Sequence, residues 1–452
     1  MAKEKHVFYC KECGYESAKW MGQCPGCRQW NTFVEEKVTV SKNKEKLVPL
    51  QDRPKPISMD QVSSEEEDRI ETNITELDRV LGGGIVKGSL VLVGGDPGIG
   101  KSTLLLEMCR NLVAKDIKVL YVSGEESAAQ IKMRAERLRA LDARLMLLAD
   151  NDMDNVENAA ENVQAEVMII DSIQTMESAE IDNVPGSVTQ VREVTSRLMQ
   201  LAKQKNIAVF IVGHVTKEGT VAGPRTLEHM VDSVLYFEGD GSGGFRMLRS
   251  QKNRFGSTNE VGVFNMTDKG LEEVTNPSEM FLNGRPKESS GSVVVSTIEG
   301  TRAILIEIQA LCSDTSFSMP RRTSVGLDFN RVNLLIAVLE KRGGLQMSGC
   351  DCYVNIAGGM RIDDPSADLG IVMAIASSFR DRSVGDDLVI IGEVGLAGEI
   401  RGVRNASMRV KEAAKMGYKR CMLPKSNYDK ELDKLGMDLV YVSSVGEALS
   451  KL

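Results

Sequence analysis

The ten residues GGDPGIGKST at 94–103 constrain this chain more than any other stretch. They contain Gly95-x4-Gly100-Lys101-Ser102, after the apolar run Leu90–Val93 and before a helical pattern. A glycine-rich turn between strand and helix aims backbone N–H groups at an anion, and the helix dipole favours negative charge there. The pattern predicts that Gly95, Asp96, Pro97, Gly98, Ile99, Gly100, Lys101, Ser102 and Thr103 cradle the phosphates of ATP. Lys101 would reach the β/γ oxygens and the Ser102 hydroxyl would ligate Mg²⁺.

Further elements fit the same chemistry. VMIIDS at 167–172 is a buried strand ending in Asp171, suited to holding the Mg²⁺ shell. The strand ending at Val122 runs into SGEES, where Glu125 or Glu126 could polarise an attacking water; acids decorating a helix start are the alternative. FIVGHVTKEG ends a strand at His214, either a γ-phosphate sensor or a structural histidine. In RSQKNRFGS at 249–257, Arg249, Lys252 and Arg254 form a cationic loop or a finger for a neighbouring subunit's nucleotide.

These elements sit in a chain of 452 residues, long enough for two or three domains. Between 71 and 276, β-branched runs alternate with helical patterns such as 102–114 and 187–204, which predicts a parallel sheet with crossover helices. Residues 35–70, with Pro49, Pro54, Pro56 and an acidic run, read as a linker, and 277–290 as a second. The remainder, 291–452, is a mixed α+β domain. No apolar run approaches the roughly 18 residues that span a bilayer. The charged start MAKEKHVFYC does not read as a secretory signal, so a cytoplasmic location is expected. A net charge of −8 leaves nucleic-acid contact to local basic patches.

Four of the nine cysteines fall within 1–34, as Cys10-x2-Cys13-x10-Cys24-x2-Cys27. Two such knuckles suit one tetrahedral structural Zn²⁺; free thiols or an iron–sulfur centre are the alternatives. Gly14 and Gly26 are expected to free the tight turns, and Trp20 and Trp30 to form the mini-domain's core rather than a base-stacking platform.

With KNRFG at 252–256 in place, the whole chain resembles the RadA (Sms) family of bacterial DNA-repair proteins. The four-cysteine finger, the GDPGIGKST loop, KNRFG and a C-terminal Lon-like segment occur in that family's order. The resemblance implies a RecA-like P-loop ATPase core between a small zinc finger and a Lon-like α+β domain. It also implies a homo-oligomer, a hexameric ring, that acts on single-stranded and branched DNA beside the RecA recombinase and promotes branch migration. On this comparison Glu125 matches the catalytic glutamate, Lys252 and Arg254 match trans-acting positions, and the loop holding Lys217 and Arg225 lies where RecA-like proteins contact DNA. Eight basic residues between 401 and 425 face one acid, Glu412, either as a solvated surface or as a phosphate-tracking one.

Pro365-Ser366-Ala367 reproduces the sequence around the nucleophile of Lon-type peptidases, which a lysine must activate. Aligning Gly392 to Pro424 on the family pattern puts Ser407 at the lysine's position. Lys411 lies about 6 Å further along the helix axis. Arg409 is closer, but arginine cannot act as a base. The leading expectation is a DNA-dependent ATPase motor without peptidase activity. An ATP-dependent peptidase and a RecA-fold signalling ATPase are the competing readings.

Overall fold

The computed structural model describes residues 4–10, 14–39, 58, 69–214, 227–239, 244–315 and 319–452. Most of the expected linker 35–70 lies outside them, as do Cys13, Lys217 and Arg225. The chain divides into two units, one running to Glu238 and resuming over Gly244–Glu273, the other built on Val274–Leu452.

At the start, β1 (Glu4–Cys10), β2 (Glu16–Ser17) and β3 (Phe33–Thr39) form an antiparallel sheet in the order β2-β1-β3. Cys10, Cys24 and Phe33 make its core, with Phe8, Met21 and Cys27 against them. Trp20 and Trp30, expected inside, are instead 54% and 67% exposed. Phe33, Phe8 and Met21 fill the sulfur-lined centre in their place. Both indoles stand beside Gly22 at the surface.

A hairpin of β4 (Arg69–Ile70) and β5 (Ile85–Val86) brackets α1 (Thr75–Leu81) and leads into β6 (Leu90–Gly95). Then come α2 (Lys101–Ala114), β7 (Val119–Ser123), α3 (Ala128–Arg137), β8 (Leu145–Ala149) and α4 (Met153–Val163). They are followed by β9 (Val167–Asp171), α5 (Val188–Lys205), β10 (Ala208–His214) and β11 (Ser233–Glu238). β12 (Phe245–Asn253), β13 (Val261–Thr267) and β14 (Gly270–Glu273) complete a nine-stranded sheet, ordered β14-β13-β12-β11-β6-β10-β9-β7-β8. From β11 to β8 neighbours run parallel; β12 to β14 are antiparallel. Strands β6, β7 and β9 are buried along their whole length, as parallel strands covered on both faces must be. Helix α2 docks through Leu104, Leu105, Leu106, Met108 and Leu112, all buried. Each contributes on the order of 2 kcal/mol, which holds the helix start rigidly at the end of β6.

The second unit opens with α6 (Pro277–Leu282), where a linker over 277–290 was expected. Asn276 caps it by accepting from Glu279 N, and Pro277 sits in the first turn, where no N–H is missed. Ser278 is buried, donating to Glu412 at 2.7 Å and accepting from Leu305 N at 3.1 Å. Proline and serine signal a break locally, but here they start a packed helix.

Beyond it lie β15 (Ser292–Glu299), β16 (Arg302–Asp314), β17 (Arg322–Val325), α7 (Phe329–Gly343) and β18 (Cys350–Ile356). Next are α8 (Asp368–Arg380), β19 (Leu388–Ile390), the β20–β21 hairpin (Glu393–Val394 and Ile400–Arg401) and α9 (Ala406–Lys415). The chain closes with β22 (Arg420–Pro424), α10 (Lys430–Asp433), β23 (Asp438–Val442) and α11 (Val445–Leu449). The seven-stranded sheet runs β17-β18-β16-β15-β19-β22-β23. Among the described residues, no helix is long and apolar enough to cross a membrane.

Candidate functional site

Four strand ends bring the polar residues of the first unit together. The parallel register sets His214 beside Gly95 and Ser123 beside Asp171. The loops after β6, β7, β9 and β10 therefore open on one edge, at the carboxyl ends where α/β sheets bind ligands. Between β6 and α2, Gly95 and Gly100 take φ of +145° and +119°. A Cβ on Gly100 would sit 2.7 Å from Met266 Cε, the movable end of a flexible side chain, so it is the left-handed φ that calls for glycine there. Asp96, Pro97 and Gly98 face solvent.

Lys101, at the first position of α2, is 3% exposed. Its Nζ donates to Gly95 O at 2.7 Å and Asp96 O at 3.0 Å. Burial lowers its pKa to about 8, although Asp171, Asp96 and Glu125 all oppose the shift. Asp171 is buried and accepts from Tyr121 Oη at 2.5 Å. Ser102 and Thr103 follow Lys101 on the half-buried side of the turn.

The two acids of SGEES part company. Glu125 accepts from Ser172 Oγ and lies 3.4 Å from His214 Nε2. The His214 hydrogen bond, opposed by burial and reinforced by Ser172 and Lys101, holds its carboxyl below the usual range. Glu126 turns away and pairs with Arg134 on α3. Among the described residues, His214 Nδ1 is buried without a hydrogen-bond partner. The structure thus brings Lys101, Asp171, Glu125 and His214 to one edge and leaves Glu126 out.

Lys252 and Arg254 lie elsewhere. Lys252 pairs with Val234, which pairs with Leu92; Asn253 aligns with Ser233 and Val91. At about 3.3 Å per residue, Lys252 is on the order of 10 Å and Arg254 about 16 Å down the sheet from Gly95. Lys252 Nζ donates to Glu228 O at 2.7 Å and Val231 O at 2.8 Å. Arg254 is exposed, with one guanidinium nitrogen 3.1 Å from the buried Asp232. Both therefore stand towards the opposite end of the sheet from their own chain's phosphate loop.

Arg246 was not singled out from the sequence. It is buried on β12 and donates Nε to Ile99 O at 3.2 Å, bracing the phosphate loop from behind. The alternation Arg246, Leu248, Ser250, all buried, is the signal that marks it: an arginine on the inner face of a strand needs a polar duty. Tyr121 and Ser172 similarly hold Asp171 and Glu125.

In the amino-terminal sheet, the sulfurs of Cys10, Cys24 and Cys27 lie within 4.8 Å of one another, and Cys10–Cys27 is 3.6 Å. A tetrahedral ion with bonds of about 2.3 Å to sulfur sets its ligands about 3.8 Å apart, so the donor set fits. Each knuckle closes alike: Gly14 N donates to Cys10 O, and Arg28 N to Cys24 O, both at 2.8 Å. The left-handed residue in the second knuckle is Arg28, with φ +60°, not Gly26 as expected. Counting four from each first cysteine gives Gly14 and Arg28, so the register of the turn, not the nearest glycine, decides.

In the second unit, Ser366 precedes α8 but does not cap it. Asp364 accepts from Ser366 N at 3.0 Å and takes the capping role of the short turn. The Ser366 hydroxyl is buried, donates to Ser296 O at 3.3 Å and accepts from Arg409 Nη1 at 2.7 Å. Arg409, 3% exposed, also pairs with Asp364 at 2.7 Å. Ser407 points elsewhere, lining a cleft of about 560 Å³ with Arg302, Lys411 and Lys415. The basic run 401–425 is not one free surface, since Arg409 is buried, Arg401 pairs with Glu399 and Arg420 with Asp387.

Residues 55–220 match the family described as an AAA domain, 8–35 a rubredoxin metal binding domain, and 320–427 the subunit ChlI of Mg-chelatase. The chain is 53% identical over 451 residues, 99% of each chain, to the DNA repair protein RadA of Halalkalibacterium halodurans. It is 52% identical over 452 residues, again 99% of each, to the DNA repair protein RadA of Bacillus subtilis. To that of Listeria monocytogenes it is 51% identical over 453 residues, 100% of this chain and 99% of the other. Matches of this identity run from the cysteine knuckles through the phosphate loop to the end of the last helix, and the chain accordingly belongs to the RadA family of DNA repair proteins.

Proposed function

We propose that this protein is a DNA-stimulated ATPase motor that processes branched recombination intermediates and promotes branch migration, acting with a RecA recombinase. The observation that carries the ATPase is the convergence of Lys101, Asp171 and Glu125 on one sheet edge, with Glu126 diverted to Arg134. Bound nucleotide would replace the carbonyls on Lys101 with its β/γ oxygens, restoring full charge to an amine that burial has weakened. Ser102 and Asp171 would hold Mg²⁺, whose contribution is charge neutralisation on the phosphates. Glu125, ionised and oriented by Ser172 and His214, accepts the proton of the attacking water.

The position of Lys252 and Arg254 supports a ring, which we read as a hexamer. Remote from their own phosphate loop, they act on a neighbour's nucleotide, and Arg254 is the exposed one of the two. In the amino-terminal sheet, Cys10, Cys13, Cys24 and Cys27 hold a structural Zn²⁺. The peptidase reading loses support because Arg409 occupies the hydroxyl of Ser366 and offers no base. The deciding experiment is ATP turnover with and without single-stranded DNA, in the parent and in Lys101→Ala. Stimulation by DNA in the parent and collapse in the variant are expected; turnover at the parent rate in Lys101→Ala would sink the assignment.

A further inference from the structure

Three cysteines outside the amino-terminal quartet meet on one sheet. In the β16–β18 ladder Cys312 stands opposite Cys352, and Asp314 opposite Cys350. Side chains alternate along a strand, so Cys350 and Cys352 share a face, and Cys312 faces the same way across the ladder. The sulfurs of Cys312 and Cys352 are 3.9 Å apart.

The register makes this pair unusual. Cys352 N donates outward to Arg321 O at 2.9 Å, and Cys312 N to Ser378 Oγ at 2.9 Å. Neither amide points into the ladder, so the two residues form a non-hydrogen-bonded pair. At such positions the Cα atoms approach to about 4.5 Å, at the near edge of the roughly 4.4–6.8 Å a disulfide accepts. Rotation about the side chains alone can bring the sulfurs into bonding distance.

The surroundings favour chemistry over inert packing. Cys312 is half-buried and is the pair's opening to solvent, whereas Cys350 and Cys352 are buried. The Arg322 guanidinium spans Cys350 O at 2.6 Å and Met347 O at 2.7 Å. The hydrogen bond from Cys312, against the effect of burial and with help from Arg322, draws the Cys352 thiol below its usual value. Burial pushes Cys350 up to about 11, leaving it the idle thiol of the three.

We propose that Cys312 and Cys352 form a reversible oxidation site whose reactant is a hydroperoxide. When the pair loses one proton, the charge stands on Cys352 and the Cys312 S–H donates to it. The Cys352 sulfur attacks one peroxide oxygen, reached from the half-buried Cys312 side; the O–O bond breaks, giving a sulfenic acid on Cys352 and hydroxide, which takes up the released proton as water. The Cys312 sulfur then attacks the sulfenic sulfur, forming the S–S bond. Hydroxide leaves and takes the Cys312 proton. Two thiols are oxidised by two electrons, and hydrogen peroxide is reduced to two waters. A dithiol reverses the step by exchange.

The test is hydrogen peroxide treatment of the full chain, alkylation of the remaining thiols, and non-reducing peptide mapping. A peptide joining Cys312 to Cys352, lost after dithiothreitol, is expected. In Cys312→Ser the joined peptide should be absent and Cys352 should stop at a sulfenic acid trapped by dimedone; oxidation of the amino-terminal cysteines, mapped separately, should be unchanged. An unchanged melting curve for Cys312→Ser and for a Cys312→Ala control would confirm that the fold is intact. Both thiols still fully alkylated at a dose that oxidises free glutathione completely would overturn the proposal. So would a Cys312→Ser chain in which dimedone finds no sulfenic acid on Cys352.

Discussion

Replacing Arg409 with methionine removes one partner of an ion pair while leaving the other in place. The side chains of Arg409 and Asp364 are 3% and 21% exposed, and their atoms lie 2.7 Å apart. Breaking a pair of this burial from one side costs about 3–5 kcal/mol, because the remaining charge stays uncompensated. At about 2–4 °C per kcal/mol for a unit of this size, the second unit should melt on the order of 10 °C lower. Hydrogen exchange of the α8 and α9 amides reports on that unit in the full chain. Asp364→Asn combined with Arg409→Met removes the stranded charge and should recover part of the loss.

The pH dependence has a definite sign. Burial raises the carboxyl of Asp364, but Arg409 and the Ser366 amide outweigh it and hold it below its ordinary 3.8. A lowered carboxylate contributes stability that is present above its unfolded value and is lost as pH falls through the folded one. Without Arg409, burial dominates and the carboxyl moves up, so the penalty is largest at neutral pH and shrinks on acidification towards about pH 4. A loss below about 1 kcal/mol, the range of exposed pairs, would refute the reasoning. So would a penalty that grows in acid.

Glu125→Gln should cut ATP turnover by about 10²–10⁴-fold with nucleotide still bound, while Glu126→Gln stays near the parent rate; stopped-flow turnover and equilibrium binding separate the two. Mixing an Arg254→Ala chain with a Lys101→Ala chain should recover turnover at hybrid interfaces, and no recovery at any ratio in confirmed mixed rings would exclude action in trans. Elemental analysis should find one zinc per chain, lost with Cys24→Ser, and the amino-terminal sheet should then exchange its amides freely; iron in place of zinc would remove that reading.

The phosphate loop was legible because its function is written in contiguous residues. Spacing from Gly95 to Ser102 sets the turn, the helix start and the lysine together, and Leu90–Val93 declares the strand before them. The strands ending at Val122, Asp171 and His214 and the helices over 102–114 and 187–204 were legible for a related reason, since their apolar periodicity is local. β12 to β14 were not, because their pairing depends on partners far along the chain.

Only the tertiary structure decided how near neighbours divide their work. Glu125 and Glu126 are adjacent in sequence, yet Ser172, 47 residues on, claims one and Arg134 the other. Arg409 and Ser407 are two apart on α9, yet one is buried on Ser366 and the other opens on a cleft. Trp20 and Trp30 look like core by type, yet Phe33, Phe8 and Met21 are the residues that pack on the cysteines while both indoles stand exposed. Residue type and spacing determine what a backbone segment can do locally. Which side chain is buried, paired or free depends on strand register and on contacts between distant segments, and those exist only once the sheet has formed.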